Sequence, residues 1–207
     1  MIDIEKAALL VIDLQNDFVR QGAPMEVEDA RKSLPTVKQL IEAARIKSLP
    51  IIFTKFMTGP RKTLIWNWSP QIEKFGACRR GFERTYVDVS GSRLCSDIVD
   101  EITPNPHDYV IEKYGYSAFK DTNLNSVLLS EGISSLIIIG TVTQICVADT
   151  VHDAFSLGYR VLVVSDLVTS FDPELQDAFI KNFSMKFGWV EKSREVINSI
   201  KKIQREN

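Results

Sequence analysis

The chain has 207 residues and a formal net charge of −2, with 44% hydrophobic and 25% charged residues. That is enough for one domain burying roughly 70% of its unfolded surface, without the basic excess that draws a protein to nucleic acid or an anionic membrane. Two histidines (His107, His152) rule out a three-histidine metal site, and three cysteines (Cys78, Cys95, Cys146) with no C-x-x-C argue against a disulfide scaffold or a structural zinc.

Ala7 to Ile12 is a continuous apolar run ending at Asp13, which predicts a strand buried on both faces. Ser33-Leu34-Pro35 predicts a helix start with proline in the first turn, followed by a stripe of Leu34, Val37, Ile41 and Ala44. Pro50 stops that helix, and Ile51 to Thr54 is a second strand. Residues 58 to 106 are irregular, with scattered proline, glycine and tryptophan and a basic cluster at Arg79, Arg80 and Arg84. Only Ser96 to Ile102 reads as helical there, so the stretch is expected to be an insertion serving substrate binding or subunit contacts.

Alternation then resumes. Tyr109 to Ile111 is a strand ending near Lys113, and Thr122 caps a helix that Gly132 terminates. Leu136 to Ile139 is a strand ending at Gly140, followed by a helix from about Ile145 to Leu157, closed by Gly158. Val161 to Val164 is a strand ending near Asp166, Pro173 opens a helix, Trp189-Val190 is a short edge strand, and Ser193 caps the last helix. Strands alternating with helices predict an α/β sandwich around a mostly parallel sheet in one domain over 1–207. Met1 to Lys6 lacks a basic leader, and no apolar stretch approaches the roughly 20 residues of a membrane helix. A cytoplasmic protein with no membrane contact is expected. There is no phosphate loop, dinucleotide fingerprint, G-x-S-x-G elbow or H-E-x-x-H.

Open α/β sheets place their sites beyond the carboxyl ends of the strands. That rule selects Asp13, Lys55, Lys113, Cys146 and Asp166. Cys146 falls where a helix begins, and the amides there stabilise a thiolate or an oxyanion. Each residue also has a plainer reading. A cysteine is often a small buried hydrophobe, which is the reading adopted for Cys78 and Cys95. A strand-end aspartate often caps a helix, and a strand-end lysine usually reaches water. His152 follows Cys146 by six residues, about 9 Å along a helix, and reads as structural.

Three segments resemble the isochorismatase-like cysteine hydrolase superfamily. They are Leu10 to Phe18 (LVIDLQNDF), Val110 to Phe119 (VIEKYGYSAF) and Gly140 to Val147 (GTVTQICV), the last continuing through Thr150, Asp153-Ala154 and Gly158-Tyr159 to Asp166. The resemblance implies a three-layer α/β/α sandwich around a six-stranded sheet and a triad falling on Asp13, Lys113 and Cys146. It also implies a non-proline cis peptide at Thr141–Val142, beside amides that with Cys146 hold an oxyanion. Metal-dependent nicotinamidases of the family carry Asp and His after the second strand. Here Thr54 to Gly59 offers neither, so no metal and no cofactor is expected. Isochorismatases proper lack the cysteine. The resemblance is nearest to the metal-free N-carbamoylsarcosine, ureidoacrylate and biuret amidases, which implies a small amide or ureido substrate and a homodimer or homotetramer. Lys113 is expected to hold Cys146 acidic. Phe18, Trp66, Tyr116, Phe119 and Gln144 are candidate substrate contacts, with core packing or helix capping as their alternatives. Arg79, Arg80 and Arg84 suit a substrate carboxylate, a subunit contact or a solvated face.

Overall fold

The structure, a computed structural model, describes residues 2–58 and 76–203. Six strands form one sheet: β1 (Ala7–Ile12), β2 (Ile51–Phe56), β5 (Tyr109–Lys113), β6 (Ser135–Thr141), β7 (Arg160–Thr169) and β8 (Trp189–Glu191), in the order β5-β2-β1-β6-β7-β8. Every adjacent pair is parallel. A separate antiparallel hairpin pairs β3 (Glu83–Thr85) with β4 (Ser92–Leu94).

The period-2 pleat sorts the β1 run into two cores. Ala7, Leu9 and Val11 face one side, with α2 (Glu28–Ile46) and α6 (Ser193–Lys201). Ala8, Leu10 and Ile12 face the other, with α3 (Leu124–Ser130), α4 (Ala148–Ser156) and α5 (Pro173–Lys186). The result is a three-layer α/β/α sandwich. Because strand order reverses after β1, the carboxyl ends of β1 and β6 form the crevice where such sheets bind ligands. No helix among the described residues is long and apolar enough to cross a membrane.

Several boundaries differ from the sequence reading. The helix expected to start at Ser33 begins at Glu28, and Pro35 lies inside it. Ala30 extends the buried stripe upstream, and Lys32 pairs with Glu28 and Asp29 on the exposed face, so tertiary burial and ion pairing outweigh the proline's lost hydrogen bond. The helix expected over Ser96 to Ile102 is only a 3-10 turn at Asp100–Ile102. Its upstream backbone is held by the short helix α1 (Asn16–Val19) and the residues before it: Asn16 N–H donates to Asp97 O, Asp17 N–H to Cys95 O, and Val99 N–H to Leu14 O. Ser193 does not cap α6 with its hydroxyl. Its N–H and hydroxyl both donate to Asp166, each at 2.7 Å.

Gly140 is required where β6 passes β1. Its φ is +121°, and a Cβ there would lie 2.0 Å from the Ile12 carbonyl oxygen. Gly140→Ala should therefore cost about 4 kcal/mol or more, because both backbone conformation and strand spacing forbid it. Urea unfolding measures this, and a loss under about 1 kcal/mol would show that the strands can separate there.

Candidate active site

β1 delivers Asp13 into the crevice with φ +50°, and its side chain is wholly buried. Thr54 on β2 donates its hydroxyl to Asp13 Oδ1 at 2.6 Å and accepts the Asp13 N–H at 3.2 Å. Lys113, the last residue of β5, brings Nζ to 2.7 Å from Asp13 Oδ2. Both members of this ion pair are 0% exposed. Such a pair persists only when its other hydrogen-bonding capacity is met. Lys113 Nζ also donates to the Tyr116 carbonyl at 2.9 Å and the Gly115 carbonyl at 3.3 Å, and lies 5.2 Å from the centre of the Phe56 ring.

Cys146 arrives from β6. The Thr141–Val142 peptide bond is cis. Residues Thr143–Val147 form a single π-helical turn that runs into α4. Cys146 lies in that turn, 3% exposed, close enough to Asp13 and Lys113 for both to act on its thiol. Thr150, one turn on, donates its hydroxyl to the Cys146 carbonyl at 2.7 Å and accepts the Ala118 N–H at 3.0 Å. Ser117 donates to Asp153 at 2.5 Å. The loop whose carbonyls hold Lys113 is thus tied to the helix that carries Cys146. Thr54 and Thr150 connect the three residues, and the sequence reading gave neither a role. Thr150 lay in the quoted motif, but the N–H it accepts comes from a loop distant in sequence.

Burial pushes the Cys146 thiol up, Lys113 pulls it part of the way back, and Asp13 adds to the rise, so the net direction is upward. The expectation of an acidic thiol is corrected: desolvation outweighs the nearby cation, and the resting group is a thiol. For Lys113 the balance is reversed. Burial opposes its charge, but Asp13 and Cys146 outweigh burial and hold the ammonium above its ordinary range.

The other two cysteines are 0% exposed, and burial raises both, Cys95 to about 12 and Cys78 well above its ordinary value. A group raised in the fold keeps its proton where the unfolded chain loses it, so the native state binds more protons above about pH 8.5 and stability falls as pH rises. The thermal midpoint should decline steadily from about pH 8 to about pH 10, and Cys95→Ala should flatten the decline. A flat wild-type profile would contradict the burial of these thiols.

The remaining candidates divide. Lys55 pairs with Asp97 at 2.6 Å, and Asp166 holds the start of α6, so neither joins the crevice. Tyr116 is half-buried with its ring 6.0 Å from Phe56, and burial raises its hydroxyl. Phe18 is in the core, 6.5 Å from Phe56. Phe119 stacks on Tyr159 at 5.8 Å. The Gln144 side-chain carbonyl oxygen is buried without a hydrogen-bond donor. Trp66 lies outside the described residues. Arg84 is bound to Asp17 at 3.0 Å and Arg80 to Glu112 at 2.6 Å, so two of the three arginines already hold protein carboxylates. His152 packs at 4.3 Å against Phe187. No group of three or more His, Cys, Asp or Glu side chains suited to a metal ion occurs among the described residues.

Comparison with known proteins places this geometry in a family. A family model described as an isochorismatase domain matches residues 7–195. The chain is similar to a ureidoacrylate amidohydrolase of Rhizobium rhizogenes, 30% identical over 199 residues and covering 89% of this chain and 79% of that protein. It is also similar to a ureidoacrylate amidohydrolase of Pantoea ananatis, 32% identical over 206 residues and covering 90% and 78%. Among solved structures it is similar to an N-carbamoylsarcosine amidase from Thermoplasma acidophilum (TM-score 0.72, 30% identity, 91% and 96% coverage). It is likewise similar to an isochorismatase family protein from Desulfovibrio vulgaris (TM-score 0.82, 25% identity, 94% and 98% coverage). With a family model spanning β1 to α6 and relatives matched along most of its length, the chain belongs to the isochorismatase family.

Proposed function

We propose that this protein is an amidohydrolase that uses Cys146 to cleave the C–N bond of a small non-peptide amide or ureido compound, with release of ammonia. The observation that carries this reading is the meeting of Asp13, Lys113 and Cys146, all buried, at the reversal point of the sheet. The amidohydrolase names of the relatives support the reaction class.

Because the resting Cys146 is a thiol, its proton must leave as the nucleophile attacks. Asp13, held by Thr54 and Lys113, accepts it, and the sulfur adds to the substrate carbonyl. Amides around Val142 and Cys146 receive the developing oxyanion. Asp13 returns the proton to the leaving nitrogen, the C–N bond breaks, and ammonia departs from a thioester. Water then gives a proton to Asp13 and its oxygen to the acyl carbon. The S–C bond breaks and Cys146 regains its proton. Lys113 stays charged throughout and offsets the negative charge that passes between Asp13 and the sulfur.

A panel of small amides and ureido compounds, assayed for ammonia with acyl-enzyme trapping by mass spectrometry, tests this. No turnover and no adduct on any member would favour a non-catalytic binding protein. Activity should persist after dialysis against a chelator, since Thr54 is held by Asp13 and Lys55 by Asp97 at the end of β2. Loss on chelation with recovery on adding zinc would restore a nicotinamidase-like reading. Three unpaired cysteines fit a reducing compartment such as the cytoplasm. Exposed Phe155, Phe171 and Met185 support self-association as a homodimer or homotetramer, which sedimentation would measure.

A further inference from the structure

Asp17 is a second wholly buried carboxylate, four residues after Asp13, and the mechanism above does not use it. Its Oδ1 accepts the Tyr86 hydroxyl at 2.7 Å and Arg84 Nε at 3.0 Å, and its Oδ2 accepts the Cys78 N–H at 2.8 Å. Besides burial, the nearby Asp17 charge helps raise the Cys95 thiol, which donates to Arg79 O at 3.1 Å. A buried charge needs such donors. Here every one of them comes from the segment between Cys78 and Cys95, far from Asp17 in sequence.

Other ties of that segment run along its exposed side or its ends: Val87 N–H donates to Gln21 O, Gln21 N–H to Asp88, Asn16 Nδ2 to Leu94 O, and Arg80 pairs with Glu112. Its hairpin, β3 with β4, has only three residue pairs in register and belongs to no larger sheet. A two-stranded hairpin of that size does not hold its place alone. Its start is nevertheless beside the reaction site. Thr58 donates its hydroxyl to Ala77 O at 2.6 Å and its N–H to Cys78 O at 3.2 Å, two residues beyond Phe56, whose ring lies against Lys113. Ala77 and Cys78 belong to the buried cluster that contains Phe18, Phe56 and Val142, with Tyr116 and Ile145 packed on it. Cys78 holds φ +54°, in the left-handed region, while its N–H reaches Asp17. Burial, then the charges of Asp17 and Asp13, push its thiol up.

We propose that Asp17 is a positioning residue. Through Cys78, Arg84 and Tyr86 it fixes residues 77–86 as one wall of the substrate site, and so governs substrate binding rather than the chemical step. This rests on the hydrolase reading above. Asp17→Asn removes the charge that gathers these donors but keeps the side chain's size. In protein that retains native circular dichroism, KM should rise about tenfold or more while kcat stays within about threefold. Tyr86→Phe, which removes one donor only, should raise KM in the same direction by less. A wild-type KM in both variants, or a fall in kcat with KM unchanged, would overturn the proposal.

A second readout does not depend on turnover. Iodoacetamide labelling of Cys78, mapped by mass spectrometry, should be slow in the wild type and about tenfold faster in Asp17→Asn, because the wall is released. Unchanged labelling would overturn the proposal. Should Asp17→Asn fail to fold, Tyr86→Phe and Arg84→Gln carry both readouts. If the wild type hydrolyses no amide, the functional reading fails, and the labelling still decides what holds the wall.

Discussion

Replacing Cys146 with alanine should lower amide turnover by about 10⁴-fold or more and abolish the trapped acyl adduct, with little change in stability. The size follows from what a covalent route supplies: removing a nucleophile takes away nearly all catalysis beyond binding and oxyanion stabilisation. Only one sulfur is lost, at a position 3% exposed, and Asp13 keeps its bonds to Thr54 and Lys113. The ammonia assay measures the first effect, and mass spectrometry of enzyme quenched during turnover measures the second. Full turnover in Cys146→Ala would eliminate the nucleophile assignment. Cys78→Ala and Cys95→Ala serve as controls and should still form the adduct, because neither sulfur has been placed in the chemistry.

Lys113→Met should damage both folding and activity. The substitution keeps the length of the aliphatic stem but leaves the Asp13 carboxylate, 0% exposed, facing no cation. Breaking a buried pair from one side typically costs about 3–5 kcal/mol, since the remaining charge stays desolvated. The two carbonyls of Gly115 and Tyr116 lose their donor as well. Urea unfolding should show this loss. Turnover in whatever protein remains folded should fall by about 10³-fold or more, because nothing offsets the charge that moves to the sulfur. Asp13→Asn combined with Lys113→Met should recover much of the stability and none of the activity. That outcome separates the cost of an orphaned charge from the loss of a catalytic group. A double variant no more stable than Lys113→Met would mean that the pair contributes little through charge.

The alternation of apolar strands with capped helices was legible in the chain because each strand is short, nearly continuous and bounded by proline, glycine or a cap. Three of the five polar residues at strand ends also proved to be neighbours, since parallel strands deliver their carboxyl ends to one edge of the sheet. Local pattern stopped being informative where backbone groups found partners far away. Ser96 to Ile102 has the composition of a helix, but its amides and carbonyls are held by Leu14 to Asp17. Pro35 carries a start signal, but the buried stripe continues past it to Ala30.

By itself the sequence determined the layered α/β class and singled out the residues proposed as base, cation and nucleophile, for these depend on periodicity, side-chain chemistry and motif resemblance. Only the tertiary structure decided which strand-end residues meet, that Lys55 and Asp166 are engaged elsewhere, and that the Cys146 thiol is raised rather than lowered. It alone showed Thr54, Thr150 and Asp17 holding distant segments in place. The reason is physical. Desolvation and hydrogen bonds between segments tens of residues apart exist only once the chain has folded, and no local pattern of residues encodes them.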